Sequence, residues 1–128
     1  MLQETVRRLR DLPNVALPMI VCSEMHRFLV RGQLQEAGYL CGSILLEPAG
    51  RGTAPAATVA ALEAILGDNN PLLLVVPADH VMGNEHEFSR ALAVAEPAAR
   101  ADCLVTFGVP PTRAETGYGY LRCGDAVE

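Results

Sequence analysis

The sequence predicts an α/β protein built on a right-handed, doubly wound parallel sheet, and three observations carry that prediction. Helix-like and strand-like stretches alternate along the chain, which is the order that winds helices onto both faces of a parallel sheet. The stretch "PLLLVVP", residues 71–77, is apolar at every position, as a strand covered on both faces would be. The 128 residues are the length of one ordinary domain, able to bury about two thirds of the unfolded surface, so a single domain over residues 1–128 is expected.

Taken in order, "LQETVRRL" sets Leu2, Val6 and Leu9 on one side of a helix that ends before Pro13. "LPMIVCS" reads as a short strand. "EMHRFLVRGQLQEAG" reads as a helix with Met25, Phe28, Leu29 and Gly32 on its inner face and Gly38 just past its end. "SILLEP" is the second strand. In "TAPAATVAALEAILG", Thr53 is the expected N-cap, Pro55 falls in the first turn where its missing N–H does no harm, and Val59, Leu62 and Leu66 face inward. "PLLLVVP" follows as the central strand. "EHEFSRALAVAEPAAR" spaces Phe88, Ala91, Leu92 and Ala95 as one helical stripe, which Pro97 should kink or end. "CLVTFGV" is the last strand, and "GYGYLRCGD" an extended arm leaving the sheet.

Composition excludes several function classes. The formal net charge is −5 and the basic residues form no cluster beyond Arg7, Arg8 and Arg10, so a general nucleic-acid binder is not expected. All ten basic residues are arginine, so any phosphate contact by a side-chain cation uses a guanidinium fork, and lysine Schiff-base chemistry is excluded. Cys22, Cys41, Cys103 and Cys123 have neither C-x-x-C nor zinc-finger spacing and read as idle or buried thiols, with a disulfide as the lesser alternative. No apolar run approaches the ~20 residues of a membrane span, and no charged-then-apolar leader stands at the start, so a soluble, cytoplasmic protein is expected.

Ligands of open parallel sheets collect at the carboxyl ends of the strands, and three stretches fall there. In "EPAGRGTAPA", a glycine-rich loop carrying Gly50, Arg51, Gly52 and Thr53 feeds a helix whose free N–H groups favour an anion. Glu47, at its start, could accept two hydrogen bonds from a base edge that presents adjacent N–H donors, as guanine does. The alternative is an ordinary strand-to-helix turn. In "PADH", Asp79 could join a Mg²⁺ shell completed by phosphate oxygens and water, or it could cap the following segment. His80 reads as structural rather than as a catalytic base. In "ETGYGY", Gly117 and Gly119 allow close approach to a ligand while Tyr118 and Tyr120 would fall on one face of an extended strand. A hairpin with two packed tyrosines is the alternative.

The order and spacing of these stretches carry a resemblance. "LLEPAGRGTAPA", "LLLVVPADHVM" and "LVTFGVPPTRAETGYGYLRCG" closely resemble successive segments of the bacterial mannose-1-phosphate guanylyltransferases, and "LQETVRRL" and "VCSEMHRFLVRGQL" also match the family's intervening helix and strand. The resemblance implies a Rossmann-like sheet of the nucleotide-diphospho-sugar transferase type and an enzyme that joins GTP to mannose 1-phosphate with Mg²⁺. By the family pattern Asp79 matches the metal-binding aspartate. Glu47 and the loop from Gly50 to Thr53 fall where the base is read, and Gly117 and Tyr118 where the sugar is held.

The same pattern also implies a preceding strand with a glycine-rich, arginine-containing triphosphate loop, and a later segment with a second metal-binding aspartate, neither of which resembles anything in these residues. Gly52 stands where the family usually has asparagine. The expectation is therefore an incomplete domain, with its first strand and C-terminal part missing. Its open sheet edges would be closed by homo-oligomerisation or by another chain. The competing expectation is a catalytically inactive nucleotide-binding or regulatory module.

Overall fold

Val6, Val30 and Leu34 are the buried apolar side chains of the described chain, and the fold is legible from how each reaches that position. A computed structural model describes residues 1–67 and 70–126. These fall into two compact units, Met1–Arg90 and Ala91–Glu128.

In the first unit, helix α1 (Leu2–Arg10) turns Val6 into the core with Leu2 packed beside it, and ends at Asp11, before Pro13 as expected. Strand β1 (Ile20–Ser23) follows. A single 3₁₀ turn, Glu24–His26, leads into helix α2 (Arg27–Glu36). The expected inner face of this helix is wrong. Met25 and Phe28 are 88% and 73% exposed and Leu29 is exposed too, whereas Val30 and Leu34, one helical turn apart, go inward. Within the regular turns of α2, Phe28, Leu29 and Gly32 share one side and Val30 and Leu34 the other; periodicity defines both apolar sides, and the packing against α1 and the sheet takes the second.

Helix α2 closes as the sequence predicts. Gly38 takes φ 68, its N–H donates to Gln35 O at 3.1 Å, and the Tyr39 N–H donates to Leu34 O at 2.9 Å. This is a Schellman closure, and it delivers Tyr39 against the core. Strand β2 (Ile44–Glu47) then pairs with β1 in parallel, Ile20 opposite Ile44 and Ser23 opposite Glu47. The connection through α2 is the expected strand-helix-strand unit. Ile20, Cys22 and Ile44 lie over the Val6–Val30–Leu34 core.

Beyond β2 the described chain departs from the expected sheet. Helix α3 (Thr53–Ile65) forms, with Pro55 in its first turn, but none of its residues is buried, and Val59, Leu62 and Leu66 are exposed. A side-chain bond from Ser43 Oγ to Glu63 Oε1, 3.1 Å, ties it to the residue before β2. Residues 71–77 form no strand and have no strand partner among the described residues, and Leu72, Leu73 and Val75 are exposed, contrary to the expected central strand. In the second unit the same holds for residues 103–109, where Leu104 and Val109 are open to solvent. The described residues thus form a mixed α/β fold with a parallel sheet of two strands, β1 and β2.

Helix α4 (Glu85–Arg100) continues past Pro97 instead of ending there. Phe88, Leu92 and Ala95 are among its less exposed positions, with Glu85 and Ala99, as the stripe predicted in part, while Ala91 is exposed. No helix among the described residues is long and apolar enough to cross a membrane.

Candidate functional site

Parallel pairing brings the carboxyl ends of β1 and β2 side by side, since Ser23 is in register with Glu47. Glu47 is half-buried at that rim, and the loop that follows, Pro48 to Gly52, is exposed. A pocket of about 190 Å³ opens there, bordered by Val21, Leu45, Glu47, Pro48, Arg51 and Val59. It is smaller than the ~300 Å³ from which pockets begin to enclose a whole small-molecule ligand, so it suits part of one. Glu47 and Arg51 are thereby brought to one apolar-floored recess, and neither side chain has a hydrogen bond or ion pair among the described residues. The negative charge of Glu47 is felt next door. Burial first, and then Glu47, push the Cys22 thiol above its ordinary range.

Thr53 was expected to cap the helix beyond this loop, and it does not. Gly52 is the N-cap, with φ 89 and ψ −176, and no side chain caps the helix. That backbone conformation is open to glycine and strained for other residues, so the loop sets its cap by glycine geometry and Thr53 moves inside the first turn. The first N–H groups of α3 are left without a side-chain acceptor, as a helix end that meets an anion would be. Nothing in the fold lies within 4 Å of where a Cβ on Gly50 or Gly52 would stand.

Asp79 is exposed, in the turn Ala78–Asp79. It does not cap α4. Asn84 does so, its Oδ1 accepting the Glu87 N–H at 3.2 Å. The Asp79 carboxylate makes no hydrogen bond or ion pair among the described residues. Among those residues no three of His, Cys, Asp or Glu gather in one place. A lone, unengaged carboxylate fits Mg²⁺ as one ligand in a shell otherwise made of phosphate oxygens and water, which is the way Mg²⁺ commonly sits.

The turn itself is held from behind by α1, through residues that sequence reasoning missed. Thr5 Oγ1 donates to Ala78 O at 3.4 Å and Arg8 Nη2 donates to His80 O at 3.4 Å, so the carbonyls on either side of Asp79 are both engaged. Thr5 and Arg8 are 4% and 7% exposed. Arg7 pairs with Glu85, the first residue of α4, and that bond, with Glu4 in support, holds its guanidinium above the ordinary arginine range. Arg8 Nε is buried without a hydrogen-bond partner among the described residues, its nearest carboxylate oxygen being Glu85 Oε1 at 4.0 Å. A signal for Thr5 exists in the sequence. Thr5 belongs to the stripe Leu2, Thr5, Val6, Leu9, where a polar residue on an apolar face needs a partner.

Gly117 and Tyr118 lie in the second unit and are exposed. Tyr120 folds back on the turn: its hydroxyl donates to Glu115 O at 3.0 Å and accepts the Glu115 N–H at 2.6 Å. Glu115 Oε1 also accepts the Gly117 N–H at 3.3 Å. Gly117 and Tyr118 are thus carried at the tip of a braced turn. The packed tyrosine pair of a hairpin does not form among the described residues, since both rings are exposed.

A second recess, about 220 Å³, is bordered by Val6, Leu9, Arg10, Val15, Tyr39 and Leu40. It adjoins the segments entering β1 and β2, the end of a parallel sheet where ligands do not ordinarily gather.

The rim of a parallel sheet, a carboxylate and a guanidinium in one recess, an uncapped helix start and a free aspartate suit a protein that handles phosphorylated ligands. The chain belongs to the nucleotidyl transferase family, whose description matches residues 1–128. It is similar to the mannose-1-phosphate guanylyltransferase of Escherichia coli, 50% identical over 127 residues, which cover 99% of this chain and 27% of that protein. The Klebsiella pneumoniae mannose-1-phosphate guanylyltransferase is 49% identical over 127 residues, with the same shares. The xanthan biosynthesis protein XanB of Xanthomonas campestris is 52% identical over 117 residues, 91% of this chain and 25% of XanB. The chain therefore spans about a quarter of the length of the curated relatives it matches. No solved structure matches it significantly.

Proposed function

We propose that residues 1–128 form part of a single nucleotidyl-transfer domain that joins GTP to mannose 1-phosphate, giving GDP-mannose and pyrophosphate. The observation that carries this reading is the similarity to two mannose-1-phosphate guanylyltransferases over 99% of the chain. The recess holding Glu47 and Arg51 supports it. In the complete domain β1 and β2 belong to a larger Rossmann-like, doubly wound sheet that residues 71–77 and 103–109 join, closed by a homo-oligomer or another chain. The enzyme works in the cytoplasm.

In this reaction a phosphate oxygen of mannose 1-phosphate attacks the α-phosphorus of GTP in line. The bond from that phosphorus to the oxygen bridging to the β-phosphate breaks, and pyrophosphate leaves with the electron pair. The attacking phosphate is already ionised, so His80 is not needed as a base. What remains for the chain is position and charge. Glu47 accepts from the adjacent N–H donors of the guanine edge, and Gly50, Arg51, Gly52 and Thr53 shape the loop beside it. Gly117 and Tyr118 hold the sugar. Asp79 holds Mg²⁺, which when bound supplies positive charge against the phosphate oxygens.

Calorimetry of the chain with GTP and with ATP tests the base assignment. GTP should bind more tightly, and Glu47→Gln should remove about 1–3 kcal/mol of that preference, the worth of a bidentate base contact. Equal binding of both nucleotides by the unaltered chain overturns it. For the metal, pyrophosphate release should fall by about a hundredfold or more in Asp79→Ala, the scale of losing one preorganised charge partner. Unchanged turnover removes Asp79 from the mechanism.

A further inference from the structure

We infer that Thr5 and Arg8 are positioning residues that aim the Asp79 carboxylate at its cation. The inference rests on the proposed metal role of Asp79 and extends it to two side chains on a different element. Three observations carry it. First, both residues are polar and almost wholly buried on α1, where an apolar side chain would pack at less desolvation cost. Second, their bonds go to Ala78 O and His80 O, the two carbonyls that flank Asp79, and not to its carboxylate. Third, the carboxylate so flanked is exposed and unengaged among the described residues.

This division is what a metal ligand needs. Tying the backbone on both sides of Asp79 fixes where its Cα–Cβ bond points, while leaving both carboxylate oxygens free. A direct bond from Arg8 to the carboxylate would do the reverse, neutralising the charge and occupying a lone pair. At 3.4 Å each bond is long for its kind. Their contribution therefore lies in restricting the turn more than in bond energy. The same helix also holds the far end of the segment, because Arg7 pairs with Glu85. A loose turn would leave Asp79 to be ordered by the cation itself, at an entropic cost that lowers affinity.

The test is Mn²⁺ binding to the full chain in the presence of GTP, followed by electron paramagnetic resonance of the free ion. Thr5→Val keeps shape and removes the hydroxyl; it should weaken Mn²⁺ binding about tenfold, the lower end of what outer-shell changes do to metal sites. Thr5→Ser, which keeps the hydroxyl, should restore most of the affinity. In the Asp79→Asn background, Thr5→Val should have little further effect, since the two residues act through one ligand. Unaltered Mn²⁺ affinity in Thr5→Val, with Asp79→Asn weakened, overturns the positioning role and leaves the metal role standing. An Asp79→Asn variant that binds Mn²⁺ as well as the unaltered chain overturns the metal role, and the positioning role with it. Additive losses in the double variant also overturn it. Should Thr5→Val fail to fold, Thr5→Cys takes its place with the same outcomes, because a thiol donates only weakly.

Discussion

Residues 20–23 and 71–77 are both short stretches rich in aliphatic side chains, and only the first is part of a sheet. "IVCS" has β2 on one edge and the Val6–Val30–Leu34 core beneath it. "PLLLVVP" is the more apolar of the two and has neither a ladder partner among the described residues nor a cover for Leu72, Leu73 and Val75. The difference teaches that apolar composition makes a stretch suitable for a sheet interior without placing it in one. A strand is completed by its neighbours, because its N–H and C=O groups are satisfied only across the ladder.

The largest expected effect separates these two regions directly. Leu34 is 2% exposed at the centre of the core, so Leu34→Ala should destabilise the chain by about 2–5 kcal/mol in urea melts. Leu73 is 39% exposed, and Leu73→Ala should stay within about 0.5 kcal/mol of the unaltered chain. A Leu73→Ala loss as large as that of Leu34→Ala would mean that residues 71–77 are buried in solution, and would break the comparison.

A smaller effect probes how the paired region is closed. Gly38 stands at φ 68 at the end of α2, and Gly38→Ala should cost about 1 kcal/mol in the same melts, since a Cβ is disfavoured there. An unchanged or raised stability would show that the Schellman closure is not needed to seat Tyr39.

The smallest effect is electrostatic. Burial first, and then Glu47, raise the folded-state thiol pKa of Cys22 above the ordinary thiol value. The unfolded thiol then ionises first, so its contribution to stability is complete below about pH 9 and is lost as pH rises through the folded pKa. Cys22→Ser should flatten this alkaline decline in melts taken between pH 8 and pH 10. An equal decline in both proteins would assign it to other groups.

How much could be read beforehand divides along physical lines. The helices α1, α2, α3 and α4, the stretches that become β1 and β2 and the glycine closing α2 are local in origin, set by periodicity, proline and glycine, and all are present. The inner face of α2 differs from the expected one because the helix has apolar residues on two sides, and only its packing partners select the side of Val30 and Leu34. Thr53 lost the cap to Gly52 because a positive φ is a property of the loop's path. In the candidate site, Glu47 and Arg51 were legible as the two ends of one short loop. Thr5 and Arg8 were not read as site residues, since their partners lie more than seventy positions away.

The sequence by itself determined where helices and strands can form, and its motifs determined the nucleotidyl transferase family. Only the tertiary structure decided which apolar stretches pair, that Glu47 and Arg51 share a recess, and that Asp79 stands free while α1 grips the carbonyls on either side of it. Helical periodicity and turn chemistry act over a few neighbouring residues. Ladder pairing, burial and side-chain reach depend on which distant segments the folded chain sets side by side.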